Sequence, residues 1–328
     1  MSEDPLLVTK NLMKYYPVTE RGIIRRKQIG VVKAVDGVNL TIHKGETLGL
    51  VGESGCGKTT LGKTILHLIM PTSGEVFFKG VNITKIFSSK EQAKKFELRR
   101  KMQLVFQDPY MSLNPRWTVA DIITEPFKIH QHVSKDEWKD RLLKLLKLVG
   151  LEEYHAYRYP HEFSGGQRQR IGIARALAVE PEFLICDEPV SSLDVSVRAQ
   201  ILNLLTELKA KLGLTYLYIS HDLNTVWHIC DKVAVMYLGK IVEFAEVNEI
   251  FQSPLHPYTE KLIEAIPIPD PKIRGKEFTL FGEVPSAINP PEGCRFHPRC
   301  SLCKSTCEKE EPELIEVNKN HFVACHKF

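Results

Sequence analysis

The sequence predicts an α/β fold with an additional antiparallel β layer, a helical insertion and a small cysteine-rich C-terminal extension. Three observations lead to this fold class. A strand-like run, a glycine-rich loop and a helix-like run follow one another around Gly52 to Thr60. Apolar strand-like runs end in polar or acidic residues, as at Phe183 to Cys186. A helix-rich stretch, residues 118–178, lies between these two regions.

The glycine-rich loop has the pattern of a phosphate-binding site. Its sequence, GESGCGKTT, fits G-x-x-x-x-G-K-[ST], follows the apolar run Thr47 to Val51 and precedes a predicted helix that starts near Lys58 and extends to Ile69. Glycines let successive N–H groups turn toward an anion, and the helix N-terminus attracts it further. We expect Lys58 to contact the β- and γ-phosphates and Thr59 to bind Mg²⁺. The expected nucleotide-binding residues of the loop are Gly52, Glu53, Ser54, Gly55, Cys56, Gly57, Lys58, Thr59 and Thr60.

Composition and charge narrow the function classes. A chain of 328 residues, 43% hydrophobic and 26% charged, fits a globular protein with one large and one smaller domain. A formal net charge of +4 is too small to predict nucleic-acid binding. No apolar run approaches ~18 residues, and the start of the chain lacks the regions of a signal peptide. We therefore expect a cytosolic protein that docks on a membrane partner.

The residues before the loop predict an antiparallel β layer. Leu6 to Thr9 and Val31 to Ile42 have the patterns of short strands. Tyr15 or Tyr16 offers a ring that could stack on a purine, although ordinary strand packing also explains an aromatic residue there. The basic stretch Arg21 to Lys33 is predicted to be a solvated loop.

Predicted strands and helices alternate after the loop. Glu75 to Phe78 and Met102 to Phe106 are predicted strands, and residues 88–101 between them are helical in character. Within the helix-rich stretch, FSGGQRQR contains a Ser164-Gly165-Gly166 turn that opens a helix running through Ala178. The start of that helix is a second potential anion site.

Two acidic residues follow the next buried strand pattern. Phe183 to Cys186 leads directly into Asp187 and Glu188. Beside a phosphate-binding loop, the first carboxylate holds Mg²⁺ and the second can activate the attacking water. Another buried run, Thr215 to Ile219, ends next to His221, at the edge where parallel strands bind ligands. Two further elements are predicted. Val197 to Leu212 is an amphipathic helix, and Val233 to Tyr237 forms a hairpin with Lys240 to Phe244.

The motifs are specific when they are taken together. GESGCGKTT, Gln107, FSGGQ, ICDEP, SLD and SHD follow one another in the order found in the ATP-binding subunits of ABC transporters, and the chain resembles that family over roughly residues 6–265. The resemblance implies a P-loop ABC ATPase with a RecA-like core. Residues 1–265 are the expected nucleotide-binding domain, with a helical subdomain at about 108–178. Phe163 replaces the usual leucine and Val190 a common threonine, and neither puts the chemistry in doubt.

The same resemblance implies roles for individual residues. Tyr16, or Tyr15, matches the ring that stacks on adenine. The expected catalytic set is Lys58, Gln107, Glu188 and His221. Further expected ATP contacts are Gln107, Asp187 and His221. The expected Mg²⁺ ligands are Thr59, Gln107 and Asp187. The residues expected to contact ATP bound to a partner subunit are Ser164, Gly165, Gly166, Gln167 and Asp194.

The C-terminal extension, residues 266–328, starts with a proline-rich linker and ends in a cysteine cluster. Its GCRFHPRC, EEPEL and VACH motifs resemble the ATPases of oligopeptide and dipeptide importers. The basic insertion near residue 21 and the GCGKTTLGKTIL form of the P-loop resemble the second ATPase of each pair. The resemblance of the extension implies a [4Fe–4S] cluster whose expected ligands are Cys294, Cys300, Cys307 and Cys325. Zinc in a four-cysteine site is the competing interpretation, and Cys303 is an extra thiol.

The function expected from this resemblance is ATP hydrolysis that energises peptide import by closing and reopening a dimer. The expected partners are a second ATPase subunit, a paralogue rather than a copy of this chain, and two transmembrane permeases, with an extracytoplasmic binding protein acting indirectly. No nucleic acid is expected. The expected location is the cytoplasmic face of a bacterial- or archaeal-type membrane. Alternatives are a soluble ABC ATPase acting on nucleic acid or ribosomes, a P-loop kinase, and an importer of nickel chelates or sugars.

Overall fold

The computed structural model describes residues 4–21, 26–131, 133–266 and 285–328. Of the linker predicted over residues 266–293, residues 267–284 lie outside this range. The strands are β1 Pro5–Arg21, β2 Arg26–His43, β3 Thr47–Val51, β4 Ser73–Phe78, β5 Val81–Asn82, β6 Met102–Val105, β7 Phe183–Asp187, β8 Thr215–Ser220, β9 Lys232–Tyr237, β10 Lys240–Glu246, β11 Ile315–Asn318 and β12 His321–Val323. The α-helices are α1 Lys58–Ile65, α2 Ile83–Ser88, α3 Gln92–Lys101, α4 Pro109–Ser112, α5 Val119–His130, α6 Trp138–Leu148, α7 Gly165–Leu177, α8 Val195–Leu212, α9 Leu223–Ile229, α10 Val247–Gln252, α11 Pro257–Glu264 and α12 Ser305–Lys309.

The chain divides into two compact units. The P-loop unit consists of Leu6–Thr41, Leu48–Asn82 and His221–Phe328, so it contains the glycine-rich loop and the C-terminal extension. The signature unit consists mainly of Ile83–Ser220, with Ile42–Thr47. It contains the FSGGQ motif and the acidic end of β7.

The antiparallel layer of the P-loop unit has the strand order β2-β1-β4-β5. The prediction of short strands and of a solvated loop over Arg21 to Lys33 is wrong for residues 26–33, which belong to β2. Two interactions explain the difference. β2 hydrogen-bonds to β1, and Val32 forms a bridge with Ile288 of the extension. The Asn289 N–H also donates to the Val31 carbonyl at 3.1 Å. These partners satisfy backbone groups that a solvated loop would leave to water.

The second sheet of the P-loop unit has the order β11-β12-β10-β9-β3. β3 and β9 are parallel, and the predicted hairpin of β9 and β10 is confirmed. Its turn residues Leu238 and Gly239 have φ values of 41° and 86°, as a tight two-residue hairpin turn requires. β12 of the extension pairs with β10. The buried imidazole of His321 also contacts the buried Glu243 carboxylate at 2.7 Å. The extension thus adds two strands to a sheet that also contains β3.

The signature unit contains the parallel strands β8, β7 and β6, in that order. Every residue of β7 is buried, which agrees with its continuous apolar pattern. The Tyr216 hydroxyl donates to the Leu205 carbonyl at 3.0 Å and ties β8 to α8. Helices α5, α6 and α7 occupy the stretch predicted to be rich in helix. The parallel strands place Asp187 and Glu188 at one end of a rigid, buried layer.

Two helix ends differ from the predictions. α1 ends at Ile65 instead of Ile69, because His67 has a left-handed φ of 51° that a helix cannot continue through. α8 starts at Val195, two residues before the predicted Val197. Among the helices of the described residues, none is both long and apolar enough to span a membrane.

Candidate active site

The glycine-rich loop is shaped by backbone geometry that only glycine supports. Gly52 and Gly57 have φ values of 151° and 110°. A Cβ on Gly52 would overlap the Met236 carbonyl, and a Cβ on Gly57 would overlap the Ala34 carbonyl. Gly57 is also the N-cap of α1, where no side chain caps the helix. The first N–H groups of α1 are therefore not bonded by a capping side chain, which suits a phosphate.

Lys58 is buried inside the loop, with 5% of its surface exposed. Its ammonium donates to the carbonyl oxygens of Gly52 at 2.7 Å and Glu53 at 2.9 Å. Burial raises the pKa of the neighbouring Cys56 thiol, although Lys58 acts in the opposite direction. Cys56 therefore packs as a neutral thiol, and Lys58 supplies the positive charge within the loop.

The start of the loop is anchored by residues that lie far away in the sequence. The Glu53 N–H donates to the Tyr258 hydroxyl at 2.8 Å. The Glu53 carboxylate accepts two hydrogen bonds from the Arg299 guanidinium, at 2.8 Å and 3.0 Å. Sequence analysis missed Tyr258 and Arg299 as site residues. The available signal was an arginine placed next to cysteine in GCRFHPRC.

Tyr15 is engaged in a buried polar cluster. Its hydroxyl donates to the Asp36 carboxylate, which also accepts from Arg295 of the extension. Burial and the bond to Asp36 raise the pKa of Tyr15 to about 12. Burial raises the pKa of Asp36, but Tyr15, Lys240 and Arg295 outweigh it and hold that pKa below its usual value. Tyr16 lies next to this cluster in β1, and the Lys14 ammonium lies 5.0 Å from its ring centroid.

The acidic end of β7 contains two of the predicted site residues, Asp187 and Glu188. Asp187 is 5% exposed, and Glu188 has a left-handed φ of 45°. The Gln107 amide donates to the Glu188 carboxylate at 2.8 Å. The Glu188 N–H donates to the Ile219 carbonyl of β8 at 2.9 Å. The structure thus brings together two of the predicted catalytic residues, Gln107 and Glu188, and fixes the orientation of the carboxylate.

The FSGGQ motif forms a turn, here called the signature turn, over Ser164–Gln167 at the start of α7. The Ser164 hydroxyl accepts from the Gln167 N–H at 3.3 Å, and the Gln167 side chain accepts from the Ser164 N–H at 3.1 Å. Ser164 and Gly165 are exposed. A Cβ on Gly166 would overlap the Val197 side chain, so this glycine permits close packing on α8.

Asp194 is the exposed N-cap of α8, and its carbonyl accepts from the Arg198 N–H at 2.8 Å. It therefore lies on the same helix that packs against the signature turn. His221 is exposed and directly follows β8. The glycine-rich loop, Tyr16 and His221 belong to the P-loop unit. The other residues predicted to contact ATP or Mg²⁺ belong to the signature unit, namely Gln107, Ser164, Gly165, Gly166, Gln167, Asp187, Glu188 and Asp194.

All five cysteines of the extension line one cavity of about 350 Å³, together with His256 and His297. Burial raises the pKa of three of the thiols, that of Cys294 to about 11, and neighbouring thiols raise it further. The cysteines that face this cavity are Cys294, Cys300, Cys303, Cys307 and Cys325. In the part of the chain that the structure describes, no three His, Cys, Asp or Glu side chains are placed to hold a metal ion. Thiol ligands thus suit a soft metal centre, whereas the positions of these cysteines do not form a complete coordination site.

Two family models match the chain. Residues 35–191 match the ABC transporter family, and residues 242–307 match the oligopeptide/dipeptide transporter C-terminal region. The first match contains the glycine-rich loop, the signature turn and the end of β7. The second contains most of β10, all of α11 and four of the five extension cysteines. The nucleotide-binding motifs and the C-terminal extension are therefore matched by two separate family models.

Relatives and solved structures agree with these matches. The chain is 49% identical to the oligopeptide transport ATP-binding protein AppF of Bacillus subtilis, over 100% of this chain and 98% of AppF. It is 47% identical to the dipeptide transport ATP-binding protein DppF of Haemophilus influenzae, over 98% of this chain and 96% of DppF. The ATP-binding cassette MJ0796, solved as a dimer bound to ADP and Pi, aligns with a TM-score of 0.63 and 30% identity, over 74% of this chain and 98% of MJ0796. The P-loop ABC ATPase fold is thereby confirmed, and the chain belongs to the ATP-binding subunits of oligopeptide/dipeptide-type ABC transporters.

Proposed function

We propose that this chain hydrolyses ATP at a site completed by a second ATPase subunit and so powers peptide import. The observation that carries the proposal is the end of β7, where Gln107 holds the Glu188 carboxylate at 2.8 Å. A carboxylate fixed in this way can orient a water molecule for attack on the γ-phosphate. Lys58, inside its loop, can exchange its carbonyl partners for phosphate oxygens.

Magnesium fits the donor set proposed for it. The Thr59 hydroxyl, the Asp187 carboxylate and the Gln107 amide oxygen are hard oxygen ligands of the type that Mg²⁺ prefers. When bound, Mg²⁺ would neutralise charge on the transferred phosphoryl group. Lys58 adds a second positive charge, and His221 would contact the γ-phosphate. Tyr15 is occupied by Asp36, so we assign the adenine-stacking role to Tyr16.

The signature turn supports a site shared between subunits. Its exposed Ser164 and Gly165 present polar groups at a helix N-terminus, next to the exposed Asp194. We assign these groups, with Gly166 and Gln167, to ATP held by the partner subunit. The solved relative MJ0796 is a dimer in its nucleotide-bound form. ATP would close such a pair, and hydrolysis would reopen it.

The remaining partners follow from the relatives, which are named as transport ATP-binding proteins for oligopeptides and dipeptides. We propose that the chain binds two permease subunits at the cytoplasmic face of the membrane, beside a paralogous ATPase. An extracytoplasmic binding protein would deliver the peptide to the permeases.

Reconstitution tests the proposal. The chain is purified with its membrane partners, inserted into vesicles and supplied with ATP and labelled di- to pentapeptides. We expect ATP-dependent peptide uptake that Glu188→Gln abolishes. Uptake of a nickel chelate or of a short sugar in place of peptides would replace the proposed cargo. The absence of any membrane partner on purification would contradict the transport function.

We also propose that Cys294, Cys300, Cys307 and Cys325 hold a [4Fe–4S] cluster. The support is that these thiols line one cavity and that four cysteines are the usual ligands of such a cluster. A single zinc ion would draw the four sulfurs to ~2.3 Å from one point, whereas a four-iron cluster is larger and keeps its ligands further apart. Anaerobic purification should give a brown protein with broad absorbance in the visible blue. A colourless protein with stoichiometric zinc would contradict the cluster and leave a zinc site.

A further inference from the structure

A buried ion pair joins the C-terminal extension to the first residues of the P-loop. Arg299 and Glu53 are 246 residues apart in the sequence, yet they form two parallel hydrogen bonds of 2.8 Å and 3.0 Å. Their side chains are only 4% and 19% exposed. A bidentate arginine–carboxylate pair fixes direction as well as distance, and burial protects it from screening by salt.

Aromatic rings hold the guanidinium in place. The Tyr237 ring lies 5.9 Å from the Arg299 guanidinium, whose Nη1 donates to the Tyr237 hydroxyl at 3.4 Å. Phe296 of the extension packs edge-on against Tyr237 at a centroid distance of 5.3 Å, and its ring is tilted by 54° against that of Tyr258 at 5.4 Å. Tyr258 also accepts the Glu53 N–H. Both the main chain and the side chain of Glu53 are thus held by one cluster.

The held residue leads directly to the lysine of the loop. The Glu53 carbonyl accepts from the Lys58 ammonium at 2.9 Å. A change in the position of Glu53 therefore changes the position of a Lys58 partner. On the other side, Arg299 is followed directly by Cys300, which lines the cysteine cavity. One continuous series of contacts runs from the cysteine cavity to Lys58.

We propose that Arg299 is a positioning residue of the ATP site, which holds the P-loop through Glu53 and couples ATP binding to the order of the extension. The inference rests on the proposed ATP site. It assigns to the extension a part in nucleotide binding, in addition to its own cysteine site. Arg299 itself touches neither ATP nor the attacking water.

ATP affinity of the full-length chain tests the positioning role. Isothermal titration with Mg·ATP compares the wild type with Arg299→Gln, Arg299→Lys and Glu53→Gln. We expect Arg299→Gln to weaken ATP binding about tenfold, within the usual range of coupling between sites. The ATP affinity of Arg299→Lys should lie between those of the wild type and Arg299→Gln, because lysine keeps the positive charge but cannot form the bidentate pair. The double variant should bind no more weakly than either single variant, since both remove one interaction.

Hydrogen exchange tests the coupling independently of what the cysteines hold. In the wild type, ATP should slow amide exchange across residues 294–310, and in Arg299→Gln this effect of ATP should disappear. Lys309→Gln serves as the matched control, because it removes an exposed positive charge from α12 of the same extension. Its ATP affinity and exchange pattern should equal those of the wild type.

The outcomes separate this inference from the proposed function. If the wild type binds no ATP, the ATP site itself is wrong. If Arg299→Gln binds ATP as tightly as the wild type does and keeps the ATP-dependent exchange, the ATP site stands and the positioning role is refuted. A lower melting temperature with unchanged ATP affinity would also refute it, since that result means that the pair serves stability alone.

Discussion

The P-loop and the signature turn are both glycine-rich helix N-termini, but they are completed differently. The P-loop helix α1 has no side-chain cap, and its lysine is turned inward onto the loop's own carbonyls. The signature turn pairs the N–H groups of Ser164 and Gln167 in its own capping box. Uncapped donors around a buried cation suit a tightly held phosphate. A self-capped, exposed turn keeps its shape without a ligand.

This difference indicates how the work is divided. Tyr258 and Arg299 hydrogen-bond to Glu53 of the P-loop. These bonds would keep the loop fixed in its proposed role as the nucleotide receptor. The signature turn rests on α8 through Gly166 and presents its polar face outward. Under the proposed function, the P-loop binds the nucleotide and the signature turn contacts a nucleotide held by a neighbouring subunit. The predictions below separate these two roles.

The largest effect should come from a change that leaves both elements intact. Glu188→Gln keeps the hydrogen-bonding size of the side chain but removes the carboxylate that orients water. ATPase turnover of the assembled complex should fall about 1,000-fold, the middle of the range for a general base, while ATP still binds to the P-loop. Steady-state turnover and equilibrium ATP binding are the measurements. Turnover within a factor of two of the wild type would remove Glu188 as the base.

Paired glycine variants should break the two elements separately. Gly57→Ala places a Cβ on the Ala34 carbonyl at a φ of 110°, which should weaken ATP binding about 100-fold through the strain at this position. Gly166→Ala forces the signature turn away from Val197. It should lower turnover of the complex while ATP binding stays unchanged. Gly172→Ala is the control, because its Cβ meets nothing within 4 Å in the middle of α7. Equal loss of ATP binding in the Gly57 and Gly166 variants would contradict the division of roles.

His67, which lies just after the end of α1, should make the free energy of unfolding depend on pH. Burial lowers the pKa of His67 to about 4, whereas the unfolded chain has a histidine pKa of about 6.5. The unfolded state therefore binds more protons in this window, so this contribution to stability is complete above pH 6.5 and is lost as the pH falls toward 4. His67→Asn removes the titration and tolerates the left-handed φ. Its unfolding free energy should fall by about 3 kcal/mol less than that of the wild type between pH 7 and pH 4. Parallel pH curves for the two proteins, obtained by urea unfolding, would show that His67 does not contribute.

The smallest effect should come from the cap of the signature turn. Ser164→Ala removes the hydroxyl that accepts from Gln167 N–H, which should lower the free energy of unfolding by about 1 kcal/mol. Thermal unfolding measures this loss. The N-cap of α1 is Gly57, which has no side chain, so α1 offers no matching substitution. An unchanged melting temperature for Ser164→Ala would show that the capping box does not stabilise α7.

Local pattern predicted the parts of the fold that depend on neighbouring residues. A short run of apolar residues followed by a turn or a polar residue predicted each of the strands β3, β7 and β8 and the β9–β10 hairpin. The P-loop and signature motifs likewise lie within nine and eight consecutive residues. The start of β2 was predicted to be a loop because the basic residues of Arg21 to Lys33 hide its strand pattern, and its hydrogen bonds to β1 supply the stabilisation.

Contacts between distant segments could not be predicted. The pairing of β12 with β10, the Arg299–Glu53 pair and the Arg295–Asp36 pair join segments more than 70 residues apart. No local pattern encodes these partners, since each requires the folded sheet to bring them together. For the same reason the cysteine motif suggested a metal-binding tail, but did not reveal that its arginines support the P-loop unit.

The central claim is that each ATP lies between the P-loop of one subunit and the signature turn of the other, so that the signature turn of this chain completes a site on its partner. The most direct test is the association of the Glu188→Gln chain with its partner ATPase subunit, measured by analytical ultracentrifugation with Mg·ATP and with Mg·ADP. We predict a stable pair in ATP alone, which Ser164→Arg in the Glu188→Gln background prevents. Association that is the same with ATP, with ADP and without nucleotide would contradict the claim, as would a wild-type monomer that hydrolyses ATP as fast as the assembled complex.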